Sequence, residues 1–263
     1  MITSTANRQI KYVSALLKKA KARREEQLFV AEGVRMCMEI PPERIRTLYI
    51  SDSFRKNTNC AALTERVRQV EVLTDTVFAA LSDTRTPQGV LAVAEQSHYC
   101  PEDLTMAGPD GAKPLLLVLE QIQDPGNLGT VLRAGEGAGV TGILMDGGTA
   151  DIYNPKVVRS TMGSLLRVPF AYVEDLDGAL MMLKRKEIRL FAAHLQGSRD
   201  YDREDYRQAT AFLIGNEANG LSDRTAARAD ARIRIPMLGR VESLNAAVAA
   251  SVLMFEAARQ RRG

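Results

Sequence analysis

The sequence predicts an α/β protein: a C-terminal, mostly parallel sheet with helices on both faces, preceded by a smaller α/β domain. Three observations carry this expectation. Short apolar runs at 115–119, 142–145, 188–193, 211–214 and 233–235 alternate with helical periodicity at 126–136, 154–160, 176–186 and 222–229. Strand-helix alternation of this kind builds a parallel sheet covered on both sides. A shorter alternation fills 28–94, and between the two lies a stretch, 96–114, that holds Pro101, Gly108, Pro109, Gly111 and Pro114 with almost no apolar periodicity. Such a composition marks a linker. The expected domains are 1–96 and 115–263, joined by 97–114.

Each element has its own signal. Ile10, Val13, Leu16 and Leu17 share one helical stripe among lysines, which predicts an amphipathic basic helix at the start. The next elements are a strand at 28–31 ending in Glu32-Gly33, a helix containing Val34, Met36 and Met38, a strand at 47–50, and a helix at 61–70. A strand at 70–73, a short helix at 77–81 and, after the Thr86-Pro87-Gln88-Gly89 turn, a strand at 90–94 complete the smaller domain. In the larger domain 167–172 reads as a further short strand whose Pro169 points to an edge or a terminal position, because proline cannot donate to a ladder. A last helix is expected over 243–261.

Composition excludes several classes. The 263 residues are 45% hydrophobic and carry a formal charge of only +3. The charge is uneven, however, with Arg8, Lys11, Lys18, Lys19, Lys21, Arg23 and Arg24 near one end and Arg259, Arg261 and Arg262 at the other. Basic ends on a nearly neutral body fit either an anionic partner or solvated helix faces. The three cysteines, Cys37, Cys60 and Cys100, lack CxxC spacing, and His98 and His194 are far apart, so neither a disulfide framework nor a metal centre is expected. Without a signal segment or a membrane span, a cytoplasmic location is expected.

Three polar loops follow directly on buried strands: 120–129, 215–221 (GNEANGL) and 236–245 (PMLGRVESLN). In a parallel sheet they emerge at one edge, where open α/β sheets bind ligands. Asn127 and Arg133 are the candidates of the first loop and its helix, although Arg133 alone would equally suit a surface ion pair. In the second loop Gly215 and Gly220 allow close backbone approach, while Asn216, Glu217 and Asn219 add donors and acceptors. Asn219-Gly220 is also an ordinary turn pair. In the third loop Ser243 and Asn245 stand at the expected start of the last helix, with Ser243 read as its N-cap. Gly135, Gly137 and Gly139 close a helix where a dinucleotide fingerprint would open one, which argues against hydride transfer and for helix termination. No activated-nucleophile pattern is present, so chemistry here would rest on positioning, with a cofactor as the reactive group.

DPGNLGTVLRAGEGAG, FLIGNEANGLSD and IRIPMLGRVESLNAAVAASVLMFEAARQR, in this order and spacing, resemble the three motifs of the SpoU (TrmH) branch of SPOUT RNA methyltransferases. The basic 4–21 segment, LFVAEGVR and TRTPQGVLAV are similar to the substrate-binding domain of its ribosomal-RNA 2′-O-methyltransferases. The resemblance implies S-adenosylmethionine as donor, a ribose 2′-hydroxyl of RNA, most simply ribosomal RNA, as acceptor, a homodimer, and a trefoil knot in the C-terminal domain. Transfer RNA as substrate, or a non-catalytic RNA-binding factor, are the alternatives. It further implies catalytic roles for Asn127, Arg133, Glu217, Ser243 and Asn245, with Gly215, Asn216, Ile235, Met237 and Leu244 around the cofactor. Arg133 would orient the ribose and its phosphate and stabilise the developing alkoxide, since a guanidinium stays protonated far above neutral pH. One departure is Ala218, where many relatives carry glycine.

Overall fold

The computed structural model describes residues 1–108, 111–197 and 199–262. Pro109 of the expected linker and the terminal Gly263 lie outside them. The chain folds as two units, Met1–Ser97 with Asp151–Leu166, and His98–Ala150 with Arg167–Gly263.

In the first unit, α1 (Arg8–Lys18) starts at Asn7, whose side chain accepts from the Gln9 amide, and buries Ile10, Val13 and Leu16. It is the predicted basic helix, and it ends at Lys18. Lys19 is extended and a second helix, α2 (Ala20–Glu26), begins there. The cause is Arg23, which is 3% exposed and donates to the Leu16 and Leu17 carbonyls at 2.6 and 3.2 Å and to Asp151 at 2.7 Å. These helices precede β1 (Leu28–Glu32), α3 (Val34–Glu39), β2 (Ile45–Ser51), α4 (Cys60–Thr64), β3 (Val70–Leu73), α5 (Asp75–Leu81) and β4 (Val90–Glu95). The expected helix at 61–70 is only one turn, because Arg66 leaves it to donate to the carbonyls of Met38 and Ile40. The strands form a sheet of order β1-β4-β2-β3, with β4 antiparallel to both neighbours.

The second unit opens with β5 (Leu115–Leu119), α6 (Pro125–Ala138) and β6 (Gly142–Asp146). The chain then returns to the first unit for α7 (Pro155–Ser160) and a single 3-10 turn, Ser164–Leu166. There the Tyr153 ring lies 4.9 Å from Phe29, and its hydroxyl accepts from the Ser97 amide at 2.6 Å. Periodicity shows that 154–160 is helical but not which core it joins. The second unit resumes with β7 (Phe170–Val173), α8 (Leu176–Arg185), β8 (Arg189–Ala193), β9 (Arg199–Asp200), β10 (Thr210–Ile214), α9 (Asp223–Arg228), β11 (Ala231–Arg234) and α10 (Ala246–Arg261).

Its sheet has the order β7-β6-β5-β10-β8-β11-β9 with every pairing parallel, so the predicted architecture holds. β7 lies at one edge, as Pro169 requires, and β9, two residues long, is too short to leave a periodic signal. Leu116, Val118, Leu190, Ala192, Ala211 and Leu213 pack with Leu180 and Leu183 of α8 and Ala226 of α9. The alternate residues, Leu117, Leu119, Phe191, Phe212 and Ile214, point to the other face and are equally buried. α10 packs against β10 and α6.

α6 begins at Asp124, which accepts from the Asn127 amide at 2.8 Å, with Pro125 in its first turn. It ends at Gly139 alone, in the left-handed region at φ 79°, with the Val140 amide reaching back to the Gly135 carbonyl. Gly135 and Gly137 lie inside the helix and terminate nothing. The C-terminal basic cluster is largely committed within the fold. Arg261 donates to the carbonyls of Lys113, Pro114, Tyr206 and Gln208, and Arg259 pairs with Glu256 at 2.7 Å.

Candidate functional site

Because β5, β10, β8 and β11 are neighbours and parallel, the segments that follow them converge on one edge of the sheet. Side chains tie these segments together. On the first turn of α6 the side-chain Nδ2 of Asn127 donates to the Glu217 carboxylate at 2.6 Å, and Asn245 Nδ2 donates to Asn127 Oδ1 at 2.9 Å. Residues from all three predicted loops thus form one chain of hydrogen bonds. Asn245 is also the N-cap of α10, accepting from the Ala247 and Val248 amides at 2.9 and 3.3 Å. This corrects the expectation for Ser243: the stretch 241–244 is not helical, and the cap falls two residues later. Arg133 is exposed on α6 and makes no hydrogen bond or ion pair among the described residues.

The second loop is shaped from within. Asn216 donates to the Gln121 carbonyl at 2.8 Å and accepts from the amides of Ala218 and Asn219 at 2.8 and 3.2 Å. A Cβ on Gly215 would meet the Leu221 nitrogen at 2.1 Å, so only glycine allows this crossing of backbones. Ala218 keeps a negative φ, and its methyl group is therefore unstrained. Beneath the loop, the Glu120 carboxylate at the end of β5 accepts from the Ser222 amide and hydroxyl at 2.9 and 2.7 Å and from the Thr225 hydroxyl at 2.8 Å. Sequence reading placed Glu120 at the start of the first loop and gave it no role, although a carboxylate just past a buried apolar run was the available signal.

Glu217 of this chain of hydrogen bonds lines a cavity of about 870 Å³ in the second unit. Gly215, Asn216, Ile235, Met237 and Leu244, the five expected cofactor positions, all line it, together with Glu217 and Ser243. Asn127, Arg133 and Asn245 do not. His194, Leu195, Gln196, Arg232 and Glu242 also line it and were missed. The signal for 194–196 was available, since they follow β8 as the other loops follow their strands. His194 Nδ1 accepts from the Gln196 amide at 3.1 Å, and Arg234 pairs with Asp200 at 2.8 Å, holding that carboxyl below the usual carboxylate range.

The size and the mixed lining suit a nucleoside-sized molecule. Leu195, Ile214, Met237, Leu244 and Leu253 offer apolar surface, and Glu217, Asn219 and Ser243 offer polar groups. A purine and a thioether chain with polar ends fit that donor set. Among the described residues no group of three or more His, Cys, Asp or Glu could hold a metal, and no helix is long and apolar enough to cross a membrane.

Residues 114–255 match the family model "SpoU rRNA Methylase family", and residues 7–92 match "MRM3-like substrate binding domain". The chain is 30% identical over 256 residues to the 23S rRNA (guanosine(2553)-2'-O)-methyltransferase RlmP of Bacillus subtilis, covering 97% of each chain. Among solved structures it resembles the SpoU methyltransferase AviRb from Streptomyces viridochromogenes in complex with AdoMet, with a TM-score of 0.89, 28% identity, and coverage of 98% and 99%. The AdoMet-bound rRNA methyltransferase from Sinorhizobium meliloti superposes with a TM-score of 0.84 at 32% identity, covering 98% and 97%. The three connected loops, the cavity that Glu217 lines and these matches lead to one assignment: this chain belongs to the SpoU rRNA methylase family.

Proposed function

We propose that this chain is an RNA methyltransferase that modifies a ribose 2′-hydroxyl of ribosomal RNA with S-adenosylmethionine as cofactor. One observation carries the reading: the hydrogen-bonded series Glu217, Asn127, Asn245 reaches, through Glu217, a cavity that all five expected cofactor positions line. The names of the relatives point to ribosomal RNA, and the AdoMet-bound neighbours point to the cofactor. When bound, that cofactor supplies an electrophilic methyl group.

The chain's own residues do the rest. Gly215, Asn216, Ile235, Met237 and Leu244 hold the cofactor, and Glu217, Asn127 and Asn245 keep the three loops in register. Arg133, uncommitted among the described residues, orients the ribose and adjacent phosphate and stabilises the charge that develops on the 2′-oxygen. Ser243 shapes the cavity rim. Residues 1–96, with which 151–166 fold, bind the RNA, and 115–150 together with 167–263 carry the transfer chemistry.

Two further parts of the reading have support in the fold. β11 lies between β8 and β9, both of which precede it in the chain, an order that supports a trefoil knot. Val248 and Phe255, two turns apart on α10, are about half exposed at 48% and 47%, which favours a homodimer through this helix. Such an enzyme works where ribosomes are assembled, in the cytoplasm.

Mapping 2′-O-methyl groups in RNA from cells with and without the protein tests the whole reading. Loss of one ribosomal site, restored by the wild-type chain and not by Arg133→Ala, is the expected result. A site lost from transfer RNA instead would reassign the substrate, and cofactor binding with no methyl incorporated into any RNA would overturn the reading.

A further inference from the structure

We propose that Glu32 is a positioning residue that braces the loop 82–88 of the first unit so that Arg85 is presented to a phosphate of the RNA. This inference rests on the RNA methyltransferase reading. Glu32 closes β1, and its Oε1 accepts from the Ser82 hydroxyl at 2.5 Å and the Thr84 hydroxyl at 2.9 Å. The Ser82 oxygen in turn accepts from the Thr84 amide at 3.1 Å. On the far side of the loop, Gln88 Oε1 accepts from the Val34 amide at 2.8 Å, at the start of α3. Both ends of the loop are thereby held to the same β1-α3 junction.

Between these anchors, Arg85, Thr86 and Pro87 are exposed. Arg85 makes no hydrogen bond or ion pair among the described residues. The nearest acid in sequence, Asp83, faces Arg159 at 3.4 Å and leaves the Arg85 charge uncompensated. Glu32 directs its carboxylate to two hydroxyls and pairs with no cation among the described residues.

A carboxylate used entirely to fix a loop, with a free guanidinium at the tip of that loop, is an arrangement for presenting positive charge. A planar guanidinium in a fixed place matches a phosphate better than a mobile one, since less conformational freedom is lost on contact. The loop lies within the segment that matches a substrate-binding domain model. Contacts to phosphate set register and orientation on the nucleic acid, which is what a catalytic domain elsewhere in the chain needs.

The test uses the full-length protein and 23S rRNA purified from cells lacking it, with KM and kcat for methyl incorporation, cofactor affinity by calorimetry, and RNA affinity by filter binding. Arg85→Ala should raise KM about tenfold, with kcat and cofactor affinity unchanged, and lower the salt slope of RNA binding by about one. Glu32→Ala should do the same. Glu32→Gln, whose amide oxygen still accepts from both hydroxyls, should stay within about twofold of wild type. The double variant Glu32→Ala/Arg85→Ala should be no worse than Arg85→Ala alone, because the two act through one contact.

Unchanged KM in Arg85→Ala, or losses that multiply in the double variant, would overturn the proposal. Should Glu32→Ala fold poorly, Ser82→Ala/Thr84→Val removes the same brace with the carboxylate intact and must raise KM equally, or the proposal fails. If the wild type transfers no methyl group to any RNA, the functional reading fails instead, and filter binding with Arg85→Ala still decides the contact.

Discussion

Replacing Asn127 with alanine removes the two side-chain hydrogen bonds by which it ties the first loop to the second and third, at 2.6 Å to Glu217 and 2.9 Å to Asn245, and leaves the bond from Asn216 to the Gln121 carbonyl in place. A buried bond to a charged group is worth about 1.5–3 kcal/mol and a neutral one about 0.5–1.5 kcal/mol. Glu217 and Asn245 are exposed, so water takes over part of each bond, and the combined loss is roughly 1–2 kcal/mol. The population of assembled sites should then fall about five- to thirtyfold. Asn127 does not line the cavity, so cofactor affinity should stay within about threefold. Single-turnover methyl transfer and calorimetry on the same preparation separate the two. Equal losses in both would assign Asn127 to the cofactor, and a collapse of the melting temperature would make it a general stability residue. Either result refutes the view that its role is to hold the loops in register.

Further outcomes follow from the same geometry. Gly215→Ala puts a methyl carbon 2.1 Å from the Leu221 nitrogen and 2.2 Å from the Gly220 carbonyl carbon. Backbone atoms cannot rotate aside, so denaturation should show a cost of about 1–3 kcal/mol, and calorimetry should show strongly weakened cofactor binding. Arg133→Lys keeps the charge but loses the planar fork, and turnover should drop by about ten- to a hundredfold, with full turnover at unchanged RNA affinity as the contrary result. Asp177 accepts both arms of Arg228 at 2.5 and 2.7 Å, which with Arg224 holds its carboxyl below the usual range. A depressed folded-state value contributes stability above the unfolded value, and that stability is lost as pH falls through the folded value. The melting temperature of Asp177→Asn should therefore lie below wild type at neutral pH, with the gap closing below about pH 4.

The parallel sheet was legible because its strands are continuous apolar runs, and continuous runs survive without knowledge of what covers them. Ends were less so. Asn245, not Ser243, caps α10, and both residue types cap equally well, so the choice depends on where the preceding loop leaves the chain. The basic clusters misled for a different reason. Arg23 and Arg261 look in sequence like their exposed neighbours, yet they turn inward to carbonyl groups 6 to 148 residues away. Long side chains bury their stems and spend their heads locally, and composition does not reveal which do so. Convergence of the three loops was legible from parallel strands, but the bond between Asn127 and Asn245 spans 118 residues and appears only in the fold.

The excursion of Asp151–Leu166 into the first unit has a consequence for how the protein is made. During synthesis the first unit lacks its last helix until residue 166 has emerged, by which time β5, α6 and β6 of the second unit are already present. Those strands in turn wait for β10, β8 and β11. The first unit cannot finish before the second has begun, so cutting the gene at the apparent linker leaves the N-terminal fragment without 151–166 and the C-terminal fragment with that segment unpartnered. A C-terminal fragment would carry Asp151 and Tyr153 with no Arg23 or Phe29 to receive them. Separating the halves therefore calls for moving residues 151–166 to the end of the N-terminal fragment rather than for a single cut.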